Sequence, residues 1–287
     1  MNTQFFQGEQ VNSNRILYTP SEFAKNNLIH LQEIGKLQAK EPHTSSRVGL
    51  SSYLFFLVTS GSGTLQFDGT LYELHAGSCV FIDCHKAYSH CSSVDLWNLK
   101  WAHFYGPNMA AIYKKYVERG GRPCFTTKHF SEYISLLDKL HETASSSDYI
   151  KDMKIFEQLT SLLTLLMEDS WIPHSGNIKN PAGKRSLQDV KEYLDTHFQE
   201  KIMLDELAAS FYINKYYLTR IFKEQFGISI SHYLLQQRIT YAKQLLRFTD
   251  YSIEHIGQLC GIEDANYFAR SFKKVEGIAP GEFRKQW

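Results

Sequence analysis

The chain has 287 residues, 43% of them hydrophobic and 21% charged, an ordinary globular composition that excludes wholesale disorder and has length for about two domains. Its 31 basic and 30 acidic side chains give a formal net charge of +1, and residues 184–287 carry 15 Lys/Arg against 13 Asp/Glu, so the charge balance alone shows no nucleic-acid footprint. No apolar run approaches the ~18 residues of a membrane span, Met1 to Gln10 lacks the basic head and apolar stretch of a secretory signal, and Cys79, Cys84, Cys91, Cys124 and Cys260 form no CxxC pair, which argues against a disulfide framework or a standard zinc site. The expectation is a cytoplasmic protein with no membrane partner, no metal and no cofactor.

In chain order, residues 50 to about 105 read as short strands. Tyr53 to Thr59 is a buried strand ended by the turn cluster Ser60-Gly61-Ser62-Gly63. Leu65 and Phe67 alternate with polar residues, Asp68-Gly69 marks a hairpin, and Leu71 to Leu74 returns. Gly77 precedes Cys79 to Ile82, and Leu96 to Phe104 brings Trp97, Trp101 and Phe104. Such closely spaced strands predict a small barrel or sandwich.

The period then changes from two to about 3.6. Tyr133, Leu136, Leu137 and Leu140 mark one helix; Ile155, Phe156, Leu159, Leu162, Leu163 and Leu166 mark another, broadened by Leu165 and Met167. This second stripe has two readings: a cover for the barrel, or a dimer interface. Residues 171–184 hold two Pro and two Gly without any period and make the best linker. The expected organisation is 1–130, a barrel or sandwich; 131–170, a helical segment that dimerises on the second reading; 171–184, the linker; and 185–287, a final helical domain.

That last region repeats internally. Leu204-Asp-Glu-Leu207-Ala208 matches Ile253-Glu-His-Ile256-Gly257, and Tyr217-Leu218-Thr-Arg220-Ile-Phe222-Lys223 matches Tyr267-Phe268-Ala-Arg270-Ser-Phe272-Lys273, as Gly227-Ile228 does Gly277-Ile278. The turn of the second copy is one residue longer. Each copy predicts a helix, a tight turn and a second helix, capped by Asn214 or Asp264 and stopped by Gly227 or Gly277. That is helix-turn-helix patterning, whose second helix can enter a DNA major groove.

Off the buried stripes lie Tyr216, Thr219, Arg220 and Lys223 in the first copy, and Asn266, Tyr267, Arg270, Lys273 and Lys274 in the second. Arg pairs bidentately with guanine, Asn with adenine, and Thr or Tyr touches thymine methyls or phosphates. Lys223, Lys273 and Lys274, with the capping Asn214, suit phosphate contacts that fix register. A solvated surface is the plainer reading of one such helix; two copies with Arg and Lys at matching positions weigh against it. Residues 231–247 between the copies have no Pro or Gly and predict roughly 25 Å of helix, a connector able to hold two reading helices near one DNA turn, ~34 Å, apart.

Residues about 186–287, through Tyr217-Leu-Thr-Arg220-Ile-Phe222-Lys223, Arg238, Ala242, Leu246 and Gly277-Ile-Ala-Pro280-Gly-Glu-Phe283-Arg284, resemble the DNA-binding domain of the AraC/XylS transcriptional regulators. The resemblance puts Tyr216, Thr219 and Arg220 on base-reading positions of the first helix, and Asn266, Tyr267 and Arg270 on those of the second. Gly257, Ile262 and Ala279 depart from the pattern, and Gly257 inside a helix should cost up to ~1 kcal/mol relative to Ala. Residues Tyr53 to Gly63, the strand after Gly77, and Trp101-Ala-His103-Phe104-Tyr-Gly106 are similar to the cupin-type sensor of that family. This implies a multidomain fold: an N-terminal all-β cupin-like barrel followed by helices, then a C-terminal all-α double helix-turn-helix. It also implies an effector pocket at Tyr88, His90 and Trp101, where Trp101 would stack on a sugar; Tyr-then-His reverses the family's usual order, and Trp101 as plain core is the alternative.

The resulting expectation is a sequence-specific regulator, not an enzyme, controlling carbohydrate uptake or metabolism genes through a sugar-like effector. Its expected partners are double-stranded DNA, a second copy of itself and RNA polymerase. Two alternatives stay open. One is a metal-dependent cupin enzyme, for which His75, His85, His90, His103, Cys84 and Cys91 supply scattered donors without a metal-site spacing. The other is an effector-independent regulator whose barrel only dimerises.

Overall fold

The computed structural model describes residues 3–7 as backbone, and residues 10–170 and 187–286 in full. The chain divides into two compact units, Met1–Ile172 and Pro173–Trp287. The linker expected at 171–184 lies outside the described residues.

The first unit runs β1 (Thr3–Gln7), β2 (Val11–Leu17), α1 (Glu22–Asn27), β3 (His30–Ala39), β4 (Thr44–Arg47), β5 (Tyr53–Ser60), β6 (Ser62–Phe67), β7 (Thr70–His75), β8 (Ser78–Asp83), β9 (Tyr88–Ser92), β10 (Asn98–Tyr105), α2 (Met109–Glu118), β11 (Cys124–Thr126), α3 (Phe130–Ser145) and α4 (Lys151–Ser170). All pairing is antiparallel. Strands pair as a seven-stranded sheet in the order β1-β2-β3-β10-β5-β8-β11, and as a four-stranded sheet in the order β4-β9-β6-β7.

These are two open sheets, and the closed cupin-like barrel expected from the sequence is not found among the described residues. The reason lies in β5, which is buried on both faces. Tyr53, Phe55 and Leu57 join one core with Phe81, Phe104, Tyr116 and Tyr133, while Leu54, Phe56 and Val58 join another with Leu65, Phe67, Leu74 and Trp97. A sheet apolar on both faces needs a layer on each. The small sheet supplies one, and α2, α3 and α4 supply the other.

The α4 stripe is part of that cover. Ile155, Leu159, Leu162, Leu163, Leu165 and Leu166 are all buried within the unit, whereas Glu157, Thr160, Ser161, Thr164 and Glu168 are exposed. The stripe named in the sequence is therefore buried inside one chain, and the outward face of α4 is polar apart from Met153, which is 51% exposed.

The second unit contains α5 (Leu187–His197), α6 (Leu204–Ser210), α7 (Lys215–Phe226), α8 (Ile230–Phe248), α9 (Ile253–Leu259), α10 (Ala265–Glu276) and α11 (Pro280–Gln286). Two small cores hang on α8. Ile230 and Tyr233 join Leu207, Leu218 and Phe222 at one end; Ile239, Ala242 and Leu246 join Ile256, Phe268, Phe272 and Phe283 at the other. At 19 residues, α8 is roughly 28 Å of continuous helix. Arg238, near its middle, donates from Nε to the Phe198 carbonyl at 2.7 Å and from Nη2 to that of Glu200 at 2.8 Å.

Candidate nucleic-acid interface and ligand cavity

α7 and α10 are built alike, each 12 residues long. Asn214 Oδ1 accepts from Tyr216 N at 3.0 Å and Tyr217 N at 3.2 Å; Asp264 Oδ1 accepts from Tyr267 N at 2.6 Å. These caps satisfy first-turn donors that have no intrahelical partner. Each helix stops at a left-handed glycine, Gly227 at φ 76° or Gly277 at φ 83°. Leu218 and Phe222, and in the second copy Phe268 and Phe272, are fully buried, which sets the rotation of each helix about its axis.

The turns match as well. Ile213 N donates to the Ala208 carbonyl and Ile262 N to that of Gly257, both at 2.9 Å. The left-handed position is Tyr212 (φ 56°) in one copy and Gly261 (φ 74°) in the other, so the extra residue of the second turn is Glu263, just before the cap. Gly257 has a packing reason: a Cβ there would meet the Ile262 carbonyl at 3.1 Å and the Phe268 ring at 3.2 Å.

The opposite faces carry the polar set. Tyr216 is 81% and Tyr267 52% exposed; Arg220, Lys223, Asn266, Arg270, Lys273 and Lys274 are exposed too. Arg220 lies over the Tyr217 ring at 5.4 Å, with Nε 3.8 Å from Glu224, contacts loose enough to be exchanged for a stronger acceptor. Thr219 donates its hydroxyl back to the Lys215 and Tyr216 carbonyls at 2.8 and 3.0 Å, leaving its methyl and a lone pair for a ligand. Among the described residues, none of Lys223, Arg270, Lys273 and Lys274 is in an ion pair. Two helix faces with uncommitted cations are what a polyanion with readable edges can engage.

The first unit holds a cavity of about 660 Å³, a volume typical of small-molecule sites. Tyr88, His90 and Trp101 all line it. The register explains this: Arg15, Gly35, Trp101 and Phe56 form one cross-strand row through β2, β3, β10 and β5, with Glu33 and His103 paired in the next. In the other sheet Tyr88 pairs with Arg47 and His90 with Ser45. Gly35 is required where it stands, since a Cβ there would lie 2.5 Å from the Trp101 ring. Arg15 lies over that ring, 5.5 Å from its centroid, and its Nη1 is 3.5 Å from Glu33 Oε1.

Burial decides the protonation of the lining. His90 is lowered to about 4 by desolvation, then by His43, Arg47 and His103; His103 is lowered to about 4 by desolvation, then by Arg47 and Arg15. Both are neutral imidazoles at pH 7. His103 Nδ1 meets Ser52 Oγ at 2.9 Å, and His90 Nδ1 is buried with no partner among the described residues. Burial also raises the Tyr88 phenol, which stays protonated.

Sequence reasoning missed Arg15, Glu33, Arg47, Phe56 and, as a cavity residue, His103. Alternation from Trp101 places His103 on the same face, a cue that was available; Arg15 and Glu33 sit on strands whose polar inward residues hide their period. The donors Cys84, His85, His90 and Cys91 are not brought together as ligands: among the described residues no group of three or more His, Cys, Asp or Glu is placed to hold a metal, and His85 Nδ1 instead meets Asp83 Oδ1 at 2.6 Å. No helix of the described residues is long and apolar enough to cross a membrane.

Residues 207–286 match the family described as "Helix-turn-helix domain". Over 281 residues the chain is 23% identical to the Msm operon regulatory protein of Streptococcus mutans, covering 94% of this chain and 98% of that one. It is 26% identical to the lactose operon transcription activator of Staphylococcus xylosus over 79% of this chain and 82% of that one. It is 27% identical to the HTH-type transcriptional activator RhaS of Mannheimia succiniciproducens over 79% and 85%.

Proposed function

Because the chain belongs to the AraC family of DNA-binding transcriptional regulators, we propose that α7 and α10 read two successive major-groove segments, and that the cavity of the first unit receives a sugar-like effector whose binding changes transcription of carbohydrate uptake or metabolism genes. The observation that carries the DNA assignment is the repetition of one device. Both helices have a capping side chain, a left-handed glycine stop and a buried apolar pair at matching positions, and both pack on α8. In this reading Tyr216, Thr219, Arg220, Asn266, Tyr267 and Arg270 face bases; Asn214, Lys223, Lys273 and Lys274 face phosphates.

The effector assignment is supported by the cavity's aromatic wall of Trp101, Phe56 and Tyr88 beside polar groups, a combination suited to a hydroxylated ring, and by the lactose operon activator among the relatives. We assign residues 1–130 to sensing, 171–184 to the linker and 185–287 to DNA binding. The protein would act in the cytoplasm, as a homodimer that works with RNA polymerase. A dimer formed through 131–170 would use residues outside the buried stripe of α4, such as its exposed polar rows and Met153.

The experiment is selection of random duplex DNA by the full-length protein at fixed salt, followed by sequencing. Enrichment of a motif with two blocks about one helical turn apart is expected, duplicated if the protein binds as a dimer. Recovery of unenriched sequence, with and without candidate sugars, would count against base reading by these helices.

A further inference from the structure

We propose that the ligand of the 660 Å³ cavity is a hydroxylated ring bearing an anionic head, a phosphate or a carboxylate, held by Arg15 and Arg47. The proposal rests on the reading of this cavity as the effector site and narrows its occupant.

Three observations carry it. The first is charge. Arg15 and Arg47 are the cations that line the cavity, and Glu33 is the carboxylate that does so; the lining thus carries more positive than negative charge. Glu33 meets Arg15 at 3.5 Å through Nη1, while Arg15 Nε is buried with no partner among the described residues. Arg47 donates to the Ser46 carbonyl at 2.8 Å and is in no ion pair among the described residues. A guanidinium in a cavity's lining, with donors to spare, matches a phosphate or carboxylate fork for fork.

The second observation is the neutral histidines. His90 and His103 are walled in beside the arginines, and His90 Nδ1 lacks a partner. A bare buried nitrogen is costly until something fills it. A neutral imidazole accepts from a hydroxyl or donates to an anion, so the lining has both functions of a charged polyol to satisfy.

The third is the aromatic frame. Arg15 lies across Trp101, held 5.5 Å above the ring, and Gly35 clears the space below it. Trp101 thus holds the cation in the wall that Phe56 and Tyr88 continue, so the head group and ring of one ligand are recognised side by side. A neutral sugar fills the aromatic wall but leaves the excess positive charge unanswered.

The test compares matched pairs on the full-length protein by calorimetry: glucose with glucose 6-phosphate, galactose with galactose 6-phosphate, and galactose with galacturonate. We expect a charged member to bind at least ~10-fold more tightly than its neutral counterpart. The phosphate and carboxylate arms tell which head is used. Arg47, exposed at the cavity lip, can be changed without disturbing the core. Arg47→Gln should weaken the charged ligand by ~10-fold or more and leave a neutral sugar unchanged. Glu33→Gln removes the competing carboxylate and should tighten the charged ligand several-fold. Equal binding of neutral and charged members, or full affinity in folded Arg47→Gln, would overturn the anionic head while leaving the effector site standing. Failure of every sugar in the panel to bind would overturn both.

Discussion

Arg220 and Lys223 stand three residues apart on α7 and are assigned different work. Arg220 sits mid-helix over Tyr217 with a weak carboxylate contact, within reach of a base edge when the helix enters a groove. Lys223 stands in the last turn and in no ion pair among the described residues. Arg220→Ala, like Arg270→Ala, should cost ~1–3 kcal/mol on the selected site and relax base preference at one position. Equal loss on random DNA would remove these residues from base reading. Lys223→Ala should weaken all sequences alike and lower the salt slope by about one, as titrations at several ionic strengths would reveal. Tyr212 invites a different change. It holds φ 56° while 86% exposed, so it pays a left-handed strain with almost no packing in return. Tyr212→Gly, which copies Gly261, should stabilise the C-terminal unit by up to ~1 kcal/mol; a lower urea midpoint for that unit would show that the ring has a contact the strain argument ignores.

At the level of the helix, Asn214 carries two assignments that one substitution separates. Its Oδ1 caps α7, and the proposed interface places it against a phosphate. Asn214→Ala should destabilise by ~1 kcal/mol. Asn214→Asp should keep the cap and the melting temperature yet weaken binding to every DNA sequence, since a carboxylate repels phosphate; unchanged affinity would confine Asn214 to the cap. These signals are local, which is why the second unit was legible. Caps, left-handed glycines and a 3.6 period are written within a dozen residues, and the helix that the pattern predicts at 231–247 is Ile230–Phe248 in the structure. The first fifty residues were not legible, for the opposite reason. β2 reads Val-Asn-Ser-Asn-Arg-Ile-Leu, with Ser13 buried, buried side-chain atoms on Asn12 and Asn14, and Arg15 in the cavity. A strand that buries polar groups on both faces loses the alternation that identifies it. The strands that were hardest to find, β2, β3 and β4, line one part of the cavity, and the legible β5 and β10 line another. The closed barrel failed differently: strand spacing does not say whether a sheet closes on itself or takes a second layer, and the doubly buried β5 chose the layer.

Across the whole molecule, the two units should respond differently to acid, and the cavity is the cause. His90 and His103 titrate at about 4 in the fold against an ordinary 6.5, so the unfolded chain binds their protons first. Their contribution is complete above pH 6.5 and is lost as pH falls from there through 4. Between pH 7 and pH 5 the loss is roughly 2 kcal/mol for each imidazole. His141, lowered by burial and then Lys36, acts with the same sign. His129, raised chiefly by its hydrogen bond to Glu132, acts with the opposite one. Among the described residues of the second unit the shifted groups are Lys191, Lys215, Tyr233 and Cys260, raised, and Arg238, lowered, and all of them titrate far above this window. Urea unfolding at pH 7 and pH 5 should therefore move the first unit's midpoint down and leave the second unit's nearly fixed. The variant carrying both His90→Gln and His103→Gln should lose most of that slope. A slope that survives the double substitution would trace the acid response to carboxylates elsewhere, and would leave the neutral imidazoles of the cavity without the energetic weight that their burial implies.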